Sequence, residues 1–307
     1  MKQYEWMVTY TRQTEWIAGR GILLWLAFFF IELGAGMFFI ASIFATLTGQ
    51  IIGWLICAVL GGGLHFLYLG HPFRFYRMVL RPRTSWISRG LIFVASFLVL
   101  AAIHMALSFW STSALALLIA ADILAFLTII YIGFAMNYVT SIPLWNTALL
   151  PLLYVAAGLW GGAELSLVVL LETGASPEAS LQLEELIRAL MVAFLVIFPT
   201  YLVSARYGLS AGKVSVREII IGAGWPLFWI GVMVLGIGVP VAVVIKTLVT
   251  GLEATPALLL YGAIACELVG DLTLRYLILK NGFYNPLVPL PATSKKIVKP
   301  HQAVSTI

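Results

Sequence analysis

The stretch 20–46 reads RGILLWLAFFFIELGAGMFFIASIFAT, and after Arg20 its one charged residue is Glu32. A helix rises 1.5 Å per residue, so about 20 apolar residues cross the roughly 30 Å hydrocarbon core of a bilayer. Comparable apolar runs follow at 50–69, 87–109, 113–137, 147–171, 182–204, 219–248 and 254–279. The whole sequence is 62% hydrophobic and only 10% charged. A water-soluble domain carries charge on about a quarter of its residues, so this protein cannot cover itself against water. The expected fold is all-α: a polytopic integral membrane protein of about eight transmembrane helices in helical bundles. One transmembrane domain is expected over 1–285. Residues 286–307 are expected to form an extended tail, because Pro286, Pro289, Pro291 and Pro300 oppose helix there.

The breaks between runs have local causes. Thr48-Gly49-Gln50, Ser111-Thr112-Ser113 and Ser141-Ile142-Pro143 are turn-formers. Gly70 to Ser88 is too charged for hydrocarbon. Glu172 to Glu185 reads as an acidic loop containing Pro177, Arg206 to Arg217 as a basic loop, and Gly251 to Pro256 as a closing turn. The opening MKQYEWMVTYTRQTEW is polar and aromatic and does not read as a signal peptide.

Eight spans put both termini on one face, side A. Of 18 lysines and arginines, only Arg188 and Lys246 fall towards side B, which carries Glu172, Glu178, Glu184, Glu185 and Glu253. The positive-inside rule makes side A cytoplasmic, with the protein in the inner membrane and both termini inside. An acidic partner docking on side A would explain the same bias. The net charge of +5 is gathered on a membrane face and is not read as a nucleic-acid footprint.

Cys57 and Cys266 lie far apart inside apolar runs, and no CxxC, CxxCH or Cys/His cluster occurs. That argues against a bound metal, iron–sulfur cluster or c-type haem in this protein. A b-type haem needs two histidines facing one iron, but His65 lies towards side A and His104 towards side B. Ionisable groups in hydrocarbon are functional candidates by default; here they are Glu32, His65, His104, Asp122, Glu164, Glu267, Asp271 and Arg275. Counting along each span puts His65, Tyr131, Trp145, Asn146, Asp271 and Arg275 in the A-side half, with Glu32, Asp122 and Glu267 nearer the midplane. A polar pocket near side A with carboxylates leading inward suits a quinone. Its headgroup needs hydrogen-bond partners and a proton-handling group, which histidine and tyrosine supply.

The segment LYLGHPFRFYRMVLRPRTSWISRG (67–90) carries five arginines, one histidine and no acid over 70–89. It resembles the LGRP-R-F … SWxSRG segment of the NrfD/PsrC family of reductase membrane-anchor subunits. YIGF (131–134) and IPLWNTALLPLLYVAAGL (142–159) are similar to that family's tyrosine–glycine and PLWN signature. ELVGDLTLRYLILKNGFYNP (267–286) resembles its closing segment. The resemblance implies a haem-free anchor that binds menaquinone or ubiquinone. It implies two partners: a ferredoxin-like four-cluster iron–sulfur subunit, and a molybdopterin catalytic subunit holding the terminal chemistry. Quinone contacts are then expected at Tyr131, His65, Asp271 and Asn146, and proton transfer at Glu32, Asp122 and Glu267. Partner docking is expected at Arg74, Arg77, Arg81 and Arg83. The sequence departs from the family pattern at Leu24 and Ala27, where the family is polar, and at His71, where arginine is usual. A secondary transporter, with buried charges at the midplane, and a purely structural anchor are the alternative readings.

Overall fold

A computed structural model describes residues 7–110, 115–174 and 176–288. Among the described residues, eight helices are long and apolar enough to cross a membrane. They are α1 (Gly21–Ile43), α2 (Leu47–Tyr68), α3 (Trp86–Ser108), α4 (Leu115–Asn137), α5 (Leu149–Glu172), α6 (Pro177–Tyr207), α8 (Leu227–Thr250) and α9 (Ala257–Lys280). The shorter α7 (Ser210–Ile220) lies between α6 and α8. The molecule is a multi-pass membrane protein. The stretches just outside its first and last spans meet on one face, since β1 (Thr11–Arg12) pairs antiparallel with β2 (Phe283–Tyr284). An even number of crossings is required for that pairing, so the strand pair and the helix count agree.

Two helices form the interior. In their most apolar stretches α1 is 67% and α5 72% buried, against 17–39% for the others. α1 packs on α2, α4, α5 and α9. α3 closes the first group against α4, α6 packs on α5, and α8 packs on α9. Lipid offers no hydrophobic drive between helices, so small residues that let backbones approach closely take over that role. At the α1–α5 crossing a Cβ on Gly158 would lie 2.7 Å from Cγ of Glu32. Only glycine leaves room there for that carboxylate.

Three connections differ from the sequence reading. The expected basic loop 206–217 is largely α7, and the seventh span starts at Leu227 instead of 219. Ala211, Ser215, Val216 and Ile219 are buried while Lys213 and Arg217 are exposed, a helical period that a short charged stretch conceals. The acidic loop 172–185 ends early. Ser176 caps α6 by accepting from the Ala179 N–H at 3.2 Å, and Pro177 takes the first helical position. Glu178, Glu184 and Glu185 are therefore helical, and Glu184 is buried. The arginine-rich 70–88 segment contains a 3₁₀ helix, Pro72–Leu80. The expected tail lies mostly beyond the described residues, as do Lys2, Lys295, Lys296, Lys299 and the turn at 111–113. Two spans contain π-helical segments, Ile56–Gly62 in α2 and Leu227–Gly238 in α8.

Candidate functional site

A cavity of about 210 Å³ opens near side A between α2 and α3. His65 and Tyr131 both line it, together with Ile31, Phe75, Met78 and Leu91. Its rim includes Phe66, Phe75 and Ile87, each about half exposed, so the opening faces lipid in a membrane. The walls are otherwise apolar. Nδ1 of His65 is buried there without a hydrogen-bond partner, an unusual state for a buried polar atom. Phe28 stands edge-on to Tyr131 at 6.4 Å and beside His65 at 6.3 Å between ring centroids, holding both rings.

Local sequence explains the placement. The π segment ends at Gly62, just before His65, and each residue added to a helical turn rotates the positions after it by roughly 100°. Gly90, at the end of the SRG motif, gives the Tyr131 ring its space: a Cβ there would overlap the ring. Ser85 caps α3 by accepting from the Ser88 N–H at 3.3 Å, and Ser88 Oγ donates to the Met78 carbonyl. Arg89 donates to the carbonyls of Pro82 (2.7 Å) and Arg83 (2.9 Å) and stacks on Trp86 at 4.7 Å. The SWISRG motif thus fixes the arginine-rich segment over the cavity. Arg74, Arg77, Arg81 and Arg83 stay exposed on it.

A second polar group lies on the other side of α1. Arg275 donates to both oxygens of Glu32 at 2.8 and 3.0 Å and through Nε to Asp271 at 2.8 Å. Glu32, Asp271 and Arg275 are all at most 8% exposed. The Tyr154 ring lies 4.5 Å from the guanidinium. Charges buried in this way must be paired, and here one arginine serves two carboxylates. Further towards side B, Glu267 on α9 adjoins Glu164 on α5, and each leaves Oε2 without a hydrogen-bond partner.

The expected quinone contacts therefore divide. His65 and Tyr131 come together. Asp271 does not join them, because Arg275 turns it into the ion cluster behind α1. Asn146 lies exposed outside the cavity, donating to the Asn137 carbonyl at 2.6 Å. In the same PLWN motif Trp145 is buried and donates to the Ile278 carbonyl at 2.9 Å, a structural tie. Of the expected proton carriers, Glu32 and Glu267 lie along one interior path. Asp122 lies apart, two turns from the B end of α4, accepting from Ser42 at 2.7 Å. Glu184 reads from the sequence only as an acidic-loop residue, and Gly90 and Gly158 are not singled out by it. Their importance depends on what faces them across a helix interface. Among the described residues no three His, Cys, Asp or Glu side chains gather so as to hold a metal ion.

Eight spanning helices, four of which line a lipid-facing cavity holding one histidine and one tyrosine, define a multi-pass membrane protein. The protein belongs to the polysulphide reductase, NrfD, family, whose model matches residues 19–286. It is 31% identical over 164 residues to "Protein NrfD" of Escherichia coli (strain K12), covering 52% of this sequence and 50% of that one. It is also 31% identical over 157 residues to the C chain of polysulfide reductase of Wolinella succinogenes, covering 50% and 49%. The match thus spans about half the length of these curated relatives.

Proposed function

We infer that this protein is the quinone-reactive membrane subunit of a reductase complex, exchanging electrons between membrane menaquinone or ubiquinone and an iron–sulfur subunit. The observation that carries the reading is the 210 Å³ apolar cavity, open to lipid, with the unpartnered Nδ1 of His65 and the Tyr131 ring in its wall. A closed apolar cavity of about 150 Å³ takes up benzene, so this volume suits a substituted ring with its tail leaving through the lipid-facing mouth. A bound quinone supplies a carrier of two electrons and two protons. His65 would hold one carbonyl and exchange a proton at Nδ1; the Tyr131 hydroxyl would donate to a carbonyl oxygen and fix the ring's orientation. Phe28 would keep both side chains from turning away.

The exposed arginines 74, 77, 81 and 83 lie on the segment that gives Phe75 and Met78 to the cavity wall and would receive an iron–sulfur subunit. A molybdopterin subunit beyond it would carry the terminal chemistry. The positive-inside rule puts this face, and both termini, in the cytoplasm of an inner-membrane protein. The transporter reading would need a substrate site among the buried charges, but Arg275 is already shared between Glu32 and Asp271. Substituting Tyr131→Phe and His65→Ala tests the site. Each should lower quinol-linked electron transfer roughly tenfold, the effect of about 1.4 kcal/mol, while the complex still assembles. Normal rates in both would contradict the assignment.

A further inference from the structure

The carboxyls of Glu164 and Glu267 are 5% and 2% exposed, on different helices, with an unpartnered oxygen each. Oε2 of Glu267 packs against Gly161 of α5, 3.7 Å from where a Cβ would stand. Two adjoining carboxylates in a dry site repel strongly, and one proton held between them removes the repulsion.

Cavities adjoin this pair on two sides, the larger towards side B. A cavity of about 40 Å³ between α5, α6, α8 and α9 touches Glu164, Glu184 and Thr247. A water needs roughly 10–15 Å³ of such volume, so about three waters fit. Glu184 is 4% exposed and keeps an oxygen without a hydrogen bond. Leu252 and Leu260 separate this cavity from one of about 350 Å³ at the side B surface, where Glu172 and Glu253 stand. Inward, Glu267 and Asp271 share a cavity of about 10 Å³. Asp271 leads to Arg275 and Glu32, and Ile31, next to Glu32, lines the His65–Tyr131 cavity.

We propose that Glu164 and Glu267 form a shared-proton site that exchanges with side B past Glu184. The site stands independently of the quinone reading above. In the exchange step the O–H bond of the pair breaks, a cavity water takes the proton outward, and the carboxylate left behind is reprotonated by the reverse route. The charged and titratable groups facing the pair are Asp271 and Arg275 on α9; Glu32 on α1 and Tyr154 on α5 lie beyond them, around the Arg275 guanidinium. On α6 the facing groups are Glu184 and Arg188, whose Nη2 lies 2.7 Å from Glu184. α8 contributes only the outward Lys246.

The test uses the assembled complex in sealed vesicles with dicyclohexylcarbodiimide, an apolar reagent that forms adducts with protonated carboxyls in apolar surroundings. Peptide mass mapping should find the adduct on Glu164 or Glu267. Its rate should fall roughly tenfold per unit of B-side pH above the point where the pair deprotonates and ignore side A. Glu184→Gln should slow the response to B-side pH, and the double variant E164Q/E267Q should lose the adduct while the complex assembles. No adduct on either residue, or a rate set by side A alone, overturns the proposal. Retained quinone is measured on the same sample. Quinone absent with the adduct intact removes the quinone reading and keeps the exchange site; quinone retained without the adduct does the reverse.

Discussion

Ile31 and Glu32 are neighbours on α1, yet they look into two different places. Ile31 forms a wall of an apolar cavity in which a histidine nitrogen has no partner. Glu32 sits in a closed cluster where Arg275 bonds both its oxygens. One residue along a helix is about 100° of rotation, which is enough to separate a place that can take a ligand from one that is complete without it. The difference lies in hydrogen bonding. The cluster commits its polar atoms to one another, and the cavity keeps some in reserve. Substitutions on the two sides should accordingly behave differently.

The largest effect is expected from Arg275→Ala, which strands Glu32 and Asp271 in the interior. Breaking a buried ion pair from one side costs about 3–5 kcal/mol. The variant should accumulate poorly in membranes and unfold earlier in detergent. A stable R275A protein would mean that the cluster is more hydrated than its burial suggests. Gly90→Ala comes next. The new methyl must displace the Tyr131 ring, and overpacking of this kind costs about 1–3 kcal/mol. Quinone-linked turnover should fall much further than heat stability, and equal losses would argue that the ring position is only structural. His65→Ala removes no partnered bond at Nδ1, so its stability should change by less than about 1 kcal/mol while quinone retention drops. Asn146→Ala should be the mildest. It loses one exposed bond to the Asn137 carbonyl, worth about 1 kcal/mol at most, and turnover should stay near normal. A large loss in N146A would bring the PLWN motif back into the site.

How much of this is legible in the sequence follows the same division. Span count and order are legible, because length and apolarity of each run set them. Height within the membrane is also legible, since residues can be counted from the span ends; that puts His65 and Tyr131 at one level. The direction in which a side chain points around its helix is not. Counting alone groups Asp271 with His65 and Tyr131, although α1 stands between them. The π turn in α2 shifts the phase by an amount no apolar run reveals. Glu184 reads as a loop residue because the α6 cap, Ser176-Pro177, sits inside an acidic stretch that looks solvated. Gly90 and Gly158 matter through what lies opposite them, a ring and a carboxylate from distant parts of the sequence.

The central claim is that the cavity between α2 and α3 is where a quinone sits. A photoreactive quinone carrying a short isoprenoid tail, irradiated in native membranes and mapped by peptide mass analysis, tests it most directly. The expected result is crosslinks in α2, α3 and α4 around His65, Phe66, Leu91 and Tyr131, reduced by excess unlabelled quinone and weakened in Gly90→Ala. Competable crosslinks confined to α5, α8 and α9, with none near His65, would contradict it.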